Sequence, residues 1–327
     1  MSSRHLSSAK QPPAQGSEVT TSFPYITALR PRQWAKNAIV FAAPLFAFSL
    51  NAPSLLGSLL AFGLFCAASS GFYLLNDVLD VEADRRHPVK CRRPIAAGLV
   101  KIPIAIAMAV VLLGSSLSIS WSQSTPLGVT LTSYMLLQIA YNLTLKRTPI
   151  LDIIAIATGF VLRASAGAAA TGLFVSSWFL LCTAMLALFL GIEKRKAELR
   201  LLEIRGGTTR SVLKHYSVAL LTRMESLVTT GAVMCYALWS SGPQVRGAST
   251  SWMLLTLPFV LYGVFRYQLL SDPQENSSRG SSDVEKGQCS ERPEEVLLTD
   301  LPILLTIVGW VITVFIILLL KHQGIIE

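Results

Sequence analysis

Asn76, Asp80 and Asp84 recur every fourth residue within Asn76-Asp77-Val78-Leu79-Asp80-Val81-Glu82-Ala83-Asp84. On a helix they fall on one stripe about 80° wide. Stacked oxygen-bearing side chains suit a hard divalent cation such as Mg²⁺, which takes one or two carboxylates and completes its shell with water and substrate phosphate oxygens. Asn76, Asp80 and Asp84 are therefore candidate metal ligands. Asp77, about 100° round the helix from Asn76, supports them, and Asp77, Asp80 and Asp84 are candidate catalytic carboxylates. Arg85, Arg86, His87, Lys90, Arg92 and Arg93 follow at once, placed to meet the remaining charge of a bound phosphate. Pro88 biases His87 away from helical backbone and ends the helix there, so that His87 and Lys90 can fold back over that phosphate. The plainer reading is a solvated helix end whose cations set topology and meet anionic headgroups, and it explains part of the basic charge. It accounts poorly for four acidic residues in eight positions, because acidic residues do not assist cytoplasmic retention.

A second polar cluster runs from Tyr141 through Lys146 and Arg147 to Asp152. Asp152 is either a helix-dipole partner in the first turn of the next span or a further catalytic carboxylate, with Tyr141 and Lys146 as substrate ligands. Arg163 lies on the same side of that helix but roughly 16 Å further along its axis, so the two cannot pair directly. An arginine at that depth costs about 3 kcal/mol or more unless it faces a polar cavity, which makes Arg163 a candidate anion ligand. Lys194 and Glu198 have i,i+4 spacing, which would preorganise a phosphate-binding lysine.

The elements that must position these residues are membrane spans. Hydrophobic residues make up 52% of the chain and charged residues 14%, far from the soluble average. Apolar runs able to cross about 30 Å of hydrocarbon, roughly 20 residues each, are expected at nine places: 34–50, 54–75, 102–120, 126–143, 150–171, 174–192, 216–240, 250–270 and 301–320. The first is interrupted by Pro44. The fifth is rich in Ala and Gly, which permits close helix contact and predicts a central position.

The net charge of +9 does not point to nucleic acid, because the basic residues collect on alternate connections. The N-terminal arm, the loop from Arg85 to Lys101, the pair Lys146 and Arg147, and the loop from Lys194 to Lys214 carry nearly all of them. The positive-inside rule then puts the N-terminus and the ladder in the cytoplasm and the C-terminus outside. Residues 1–24 read as a disordered tail, 25–327 as one transmembrane catalytic domain, and 271–292 as a flexible cytoplasmic loop. The five cysteines show no paired spacing, which excludes a zinc site or disulfide framework.

Taken together, these residues resemble the UbiA superfamily of membrane prenyltransferases. Within it they resemble the branch that transfers phosphoribose from 5-phosphoribosyl-1-pyrophosphate to polyprenyl phosphate, yielding decaprenylphosphoryl-5-phosphoribose. The resemblance covers about 27–320. It rests on Leu29-Arg30-Pro31-Arg32-Gln33-Trp34-Ala35-Lys36-Asn37, on the block from Asn76 to Gly98, on Tyr141 with Lys146 and Asp152, and on Gly159-Phe160-Val161-Leu162-Arg163-Ala164. Lys194-Arg195 ahead of Ala197-Glu198-Leu199, Arg266-Tyr267 and Pro293-Glu294-Glu295 continue it.

The resemblance implies an all-α bundle of nine spans around a cavity opening to the cytoplasm and sideways to lipid, in the plasma (inner) membrane. It also implies Mg²⁺ as cofactor. The substrate-binding set it implies is Lys36, Arg85, His87, Lys90, Arg93, Tyr141, Lys146, Arg163, Lys194, Arg195, Glu198 and Arg266. The superfamily's second Asp motif departs here, with Ile156 four residues after Asp152, which favours a smaller, more highly charged donor than an isoprenyl diphosphate. The alternatives are prenyl transfer to an aromatic acceptor and, from another class, transport by intramembrane charges. Oligomeric state and polyprenyl length are not legible.

Overall fold

The computed structural model describes residues 23–49, 51–87, 89–205, 211–271 and 299–326. Residues 1–22 of the expected tail, and the expected loop beyond Ser271, lie outside them. So do Pro88 and the Pro293-Glu294-Glu295 motif. All regular structure among the described residues is helical. In chain order it comprises α1 (Pro24–Ala28), a 3-10 helix (Pro31–Phe41), α2 (Ala42–Phe46), α3 (Ala52–Leu79), α4 (Val81–Arg86), α5 (Ile102–Gln123), α6 (Thr125–Leu143) and α7 (Leu151–Thr171). There follow α8 (Ser177–Arg205), α9 (Val218–Ser240), α10 (Leu257–Ser271) and α11 (Leu301–His322). Among the described residues, seven segments are long and apolar enough to cross a membrane: α3, α5, α7, Ser177–Arg200 of α8, α9, Ser251–Ser271 and α11. This is a multi-pass membrane protein.

Three of the nine expected spans differ. The run expected at 126–143 forms α6 but is not among the seven. The span expected at 34–50 is an 11-residue 3-10 helix followed by a five-residue α-helix. Pro44 lacks the N–H that would bond the carbonyl of Val40, and that carbonyl instead lies against α7, where a Cβ on Gly167 would come within 1.9 Å of it. Only glycine permits that approach. The span expected to stop at 192 runs on as α8 to Arg205, through residues whose charges are neutralised inside the bundle.

Successive long helices pack side by side, α3 on α5, then α5 on α6, α6 on α7, α7 on α8, α8 on α9, α9 on α10 and α10 on α11. Short connections, at 124, 144–150, 172–176 and 241–250, make the helices they join antiparallel, and the end of α3 packs on the start of α5 through Leu74 and Ala105, so Asp77, Asp152, Arg195, Tyr216 and Arg266 gather at one end of the bundle. The connections at 172–176 and 241–250 lie at the other. As the small residues predict, α7 is central, touching the 3-10 helix, α2, α3, α6 and α8. Asn51, Ser124, Ser217 and Asp300 cap α3, α6, α9 and α11 by accepting backbone N–H bonds. Outward faces carry exposed apolar residues such as Leu56, Val110, Val111, Leu136 and Leu227, as contact with lipid requires.

Candidate active site

The structure forms two carboxylate–guanidinium clusters at the same end of the bundle. In the first, Arg93 Nη1 donates to Asp77 Oδ1 at 3.1 Å and to Asp84 Oδ2 at 2.6 Å, while Arg30 Nη2 donates to Asp77 Oδ1. Asp77 and Asp84 are buried, whereas Arg30 and Arg93 remain 28% and 29% exposed. Arg30 has left-handed backbone, φ 56°, and its guanidinium stacks 4.8 Å over the Tyr73 ring. Ser70, which accepts from Trp34 Nε1 at 3.0 Å and donates to the Leu29 carbonyl at 2.9 Å, fastens this N-terminal segment to α3. Asp80, at the junction of α3 and α4, is exposed, and Asn76 is half-buried.

In the second cluster Asp152 is fully buried. Its Oδ2 accepts from Arg195 Nε at 2.8 Å and its Oδ1 from Tyr216 Oη at 2.7 Å. Arg195 Nη1 donates to Glu198 Oε2 at 2.6 Å, and Arg195 Nη2 is buried with no partner. The Tyr216 hydroxyl also accepts from Ile150 N at 2.6 Å. Ile150 has φ +70°, a conformation that costs a β-branched residue on the order of 1–3 kcal/mol and is typically held by surrounding structure at functional sites. Burial, with the bond to Asp152 adding, pushes the Tyr216 phenol up to about 12. Beside this cluster, Lys196 on α8 donates to Glu193 at 2.9 Å and to Glu225 of α9. Glu225 also accepts from Gln268 of α10 at 2.8 Å.

Arg163 lies inward between the two halves. Nε donates to Asn37 Oδ1 at 2.6 Å, Nη1 to the Gly159 carbonyl at 2.8 Å and Nη2 to Tyr134 Oη at 2.8 Å. All three acceptors are uncharged, and Arg163 ties α7 to the 3-10 helix and to α6.

The remaining candidates spread around the same end. His87 terminates α4 in extended backbone, and its Nδ1 accepts the N–H groups of Val89 at 3.2 Å and Lys90 at 3.3 Å. The helix ends there as expected, and His87 and Lys90 are exposed. Arg85 pairs with Glu82 at 2.8 Å on the surface. Arg266 pairs with Asp300 at 3.1 Å. Glu198 receives Arg195, three residues away, at 2.6 Å. Lys36, Tyr141, Lys146 and Lys194 are half-buried at the same end. Sequence reasoning gave no site role to Arg30 and Asn37, quoted within the motif from Leu29 to Asn37, nor to Tyr134, Tyr216, Lys196 and Glu225. The charge of Glu225 within the apolar run expected at 216–240 was the available signal for it. Tyr216 offered none, since its partner is 64 residues away.

Asn76, Asp80 and Asp84 offer oxygen donors, the kind a hard cation takes. Backbone bonds from Asp80 N to the Asn76 carbonyl (2.9 Å) and from Asp84 N to the Asp80 carbonyl (2.8 Å) carry the helical rise through the junction; Asp80 is exposed there, while Asp84 is buried against Arg93. Among the described residues no three His, Cys, Asp or Glu side chains converge into a complete cage. A cation here would rest on few protein oxygens and take the rest from substrate and water, the mode Mg²⁺ favours.

The architecture defines a helical, membrane-embedded protein whose carboxylate–guanidinium clusters lie at one end. The chain belongs to the UbiA prenyltransferase family, whose pattern it matches over residues 38–282. It is 36% identical to the decaprenyl-phosphate phosphoribosyltransferase of Mycolicibacterium smegmatis, over 96% of this chain and 98% of the relative. It is also 36% identical to the protein of that name from Corynebacterium glutamicum, over 88% of this chain and 84% of the relative. A UbiA homologue from Archaeoglobus fulgidus, solved bound to GPP and Mg²⁺, superposes with a TM-score of 0.63 at 16% identity, covering 89% of this chain and 99% of that one. This last likeness is one of fold.

Proposed function

We propose that this protein transfers 5-phosphoribose from 5-phosphoribosyl-1-pyrophosphate to a polyprenyl phosphate such as decaprenyl phosphate, releasing pyrophosphate. The observation that carries the reading is the gathering of Arg30, Arg93, Arg195 and Arg266 at one end of an apolar bundle, in a chain similar over nearly its whole length to phosphoribosyltransferases. A phosphate oxygen of the lipid attacks C1 of the ribose. The bond from C1 to the pyrophosphate oxygen breaks, and its electron pair leaves with pyrophosphate. No proton needs to move, because the second ionisation of a phosphate monoester lies near about 6. The protein's task is to hold two mutually repelling anions in line and to stabilise the charge that develops on the leaving group.

Arg30 and Arg93, half in solvent, can turn from Asp77 and Asp84 toward an arriving phosphate. Arg195, fixed by Asp152 and Glu198, keeps Nη2 for a further acceptor. A divalent cation held by Asn76, Asp80 and Asp84 would neutralise the pyrophosphate as it departs. Lys36, Lys90, Tyr141, Lys146 and Lys194 are assigned to the phosphates. Ile156 and the closed Asp152–Arg195 pair speak against a second metal site of the isoprenyl-diphosphate type. The reading places residues 25–327 in one catalytic domain in the plasma membrane, with the cluster-bearing end in the cytoplasm and the C-terminus outside.

The test is incubation of purified protein with Mg²⁺, radiolabelled phosphoribosyl pyrophosphate and a polyprenyl phosphate, followed by extraction into organic solvent. Label in the lipid phase, lost on chelation, is the expected result. Absence of labelled lipid from folded protein over several chain lengths would overturn the proposal and put isoprenyl diphosphate donors next.

A further inference from the structure

An apolar cavity of about 590 Å³ lies within the bundle, walled by residues such as Ile39, Phe189, Tyr267 and Trp310. Its Tyr267 side adjoins Arg266 and the polar end. A second cavity, of about 490 Å³, is lined by Phe174, Ser176, Arg246 and Ala248 of the opposite connections. Phe46, Phe179 and Trp239 line both. Their rings form a closed triangle, with centroids 5.0 Å apart for Phe46–Phe179, 4.7 Å for Phe46–Trp239 and 5.9 Å for Phe179–Trp239. They come from α2, α8 and α9, so three separate elements meet in one wall. Trp239 is 3% exposed, and the Tyr236 ring packs against it with centroids 5.4 Å apart. Such mutually packed rings do not swing aside without opening a void.

We infer that Phe46, Phe179 and Trp239 form the end wall for the lipid substrate's tail and decide how many isoprene units the protein holds. This inference rests on the proposed polyprenyl phosphate acceptor. A cavity within the usual small-ligand range of about 300–1,000 Å³ takes only the isoprene units nearest the phosphate of a long polyprenyl chain. With the far end closed, the remainder leaves sideways. Leu55 of α3 and Ile307 of α11 both line the first cavity and are 42% and 40% exposed on the lipid-facing surface, which marks that exit. Leaving costs little, since bilayer hydrocarbon is as apolar as the cavity.

The experiment uses prenyl phosphates of increasing length, each carrying a diazirine at its terminal isoprene, with the full chain in detergent and peptide mapping of the adducts. In the wild type, adducts of the shorter probes fall on first-cavity residues, adducts of the longer ones on the surface around Leu55 and Ile307, and none on Phe174, Val175 or Ala248. Trp239→Ala joins the two cavities, and a several-fold rise of adducts on those three residues is expected. Phe179→Ala serves the same purpose should the tryptophan variant fail to fold. Adducts beyond the wall in the wild type, or an unchanged adduct map in a folded variant, would overturn the inference. The wild-type protein is assayed in parallel for labelled phosphoribosyl lipid. No product at any length defeats the proposed function, whereas product together with an unchanged map defeats only the end wall.

Discussion

Asp77 and Asp152 begin alike, each a buried carboxylate near a helix terminus with an arginine against it, yet their surroundings differ. The arginines on Asp77 are 28% and 29% exposed, while Arg195 on Asp152 is 1% exposed. Arg93 divides itself between two carboxylates and Arg30 reaches in from outside the bundle. Arg195 is locked between Asp152 and Glu198, and Tyr216 seals the remaining Asp152 oxygen. An ion pair open to water can exchange its partners at small cost, whereas a sealed pair cannot be parted without leaving a buried charge uncompensated. The first cluster is thus suited to capture and release, and the second to hold one fixed geometry.

Substitutions can break or sharpen that contrast. The largest effect is expected on turnover from Asp80→Ala and Asp84→Ala, which should abolish labelled lipid without preventing membrane insertion, because neither side chain is apolar core. Full activity in both would remove the metal assignment. Next is Arg195→Ala, which strands the Asp152 carboxylate and should lower stability by about 3–5 kcal/mol in thermal unfolding in detergent. Arg93→Ala should lower it much less, and equal losses would erase the distinction between open and sealed clusters.

Tyr216→Phe follows, at about 1–3 kcal/mol, since it leaves buried partners on Asp152 and Ile150 unsatisfied. Its pH signature is specific. The folded protein holds the phenolic proton more tightly than the unfolded chain does, so the contribution of Tyr216 is complete below about pH 10. It is lost as pH rises through about 12, and the phenylalanine variant should lack that fall in a pH series of unfolding midpoints. Arg92→Ala should change least, because the side chain is exposed and its expected work is topological. Complete loss of product in the Arg92 variant would move it into the site.

Much of the helical framework was legible. Runs expected at 102–120, 126–143 and 301–320 correspond to Ile102–Gln123, Thr125–Leu143 and Leu301–His322, because the length of an apolar run and the proline or cap residue before it are local properties. The first segment was not, since its 3-10 path depends on Val40 meeting Gly167 across more than a hundred residues of chain. The length of α8 was hidden for a related reason. Hydropathy counts Glu193, Arg195 and Lys196 as a stop, but Asp152 and Glu225 neutralise the two cations and the helix continues.

The sequence by itself determined which polar residues stand at the ends of the spans and that several must share one membrane face, since hydrophobic length and charge asymmetry are written residue by residue. Only the tertiary structure decided the pairing. Arg195 meets Asp152 across 43 residues, Tyr216 meets Asp152 across 64 and Arg163 meets Asn37 across 126. The spacing that singled out Asn76, Asp80 and Asp84 follows helical rise alone. The joining of Asp77 to Asp84 through Arg93 depends on a guanidinium returning from the next loop, and no local periodicity encodes which charge will be there when the bundle closes.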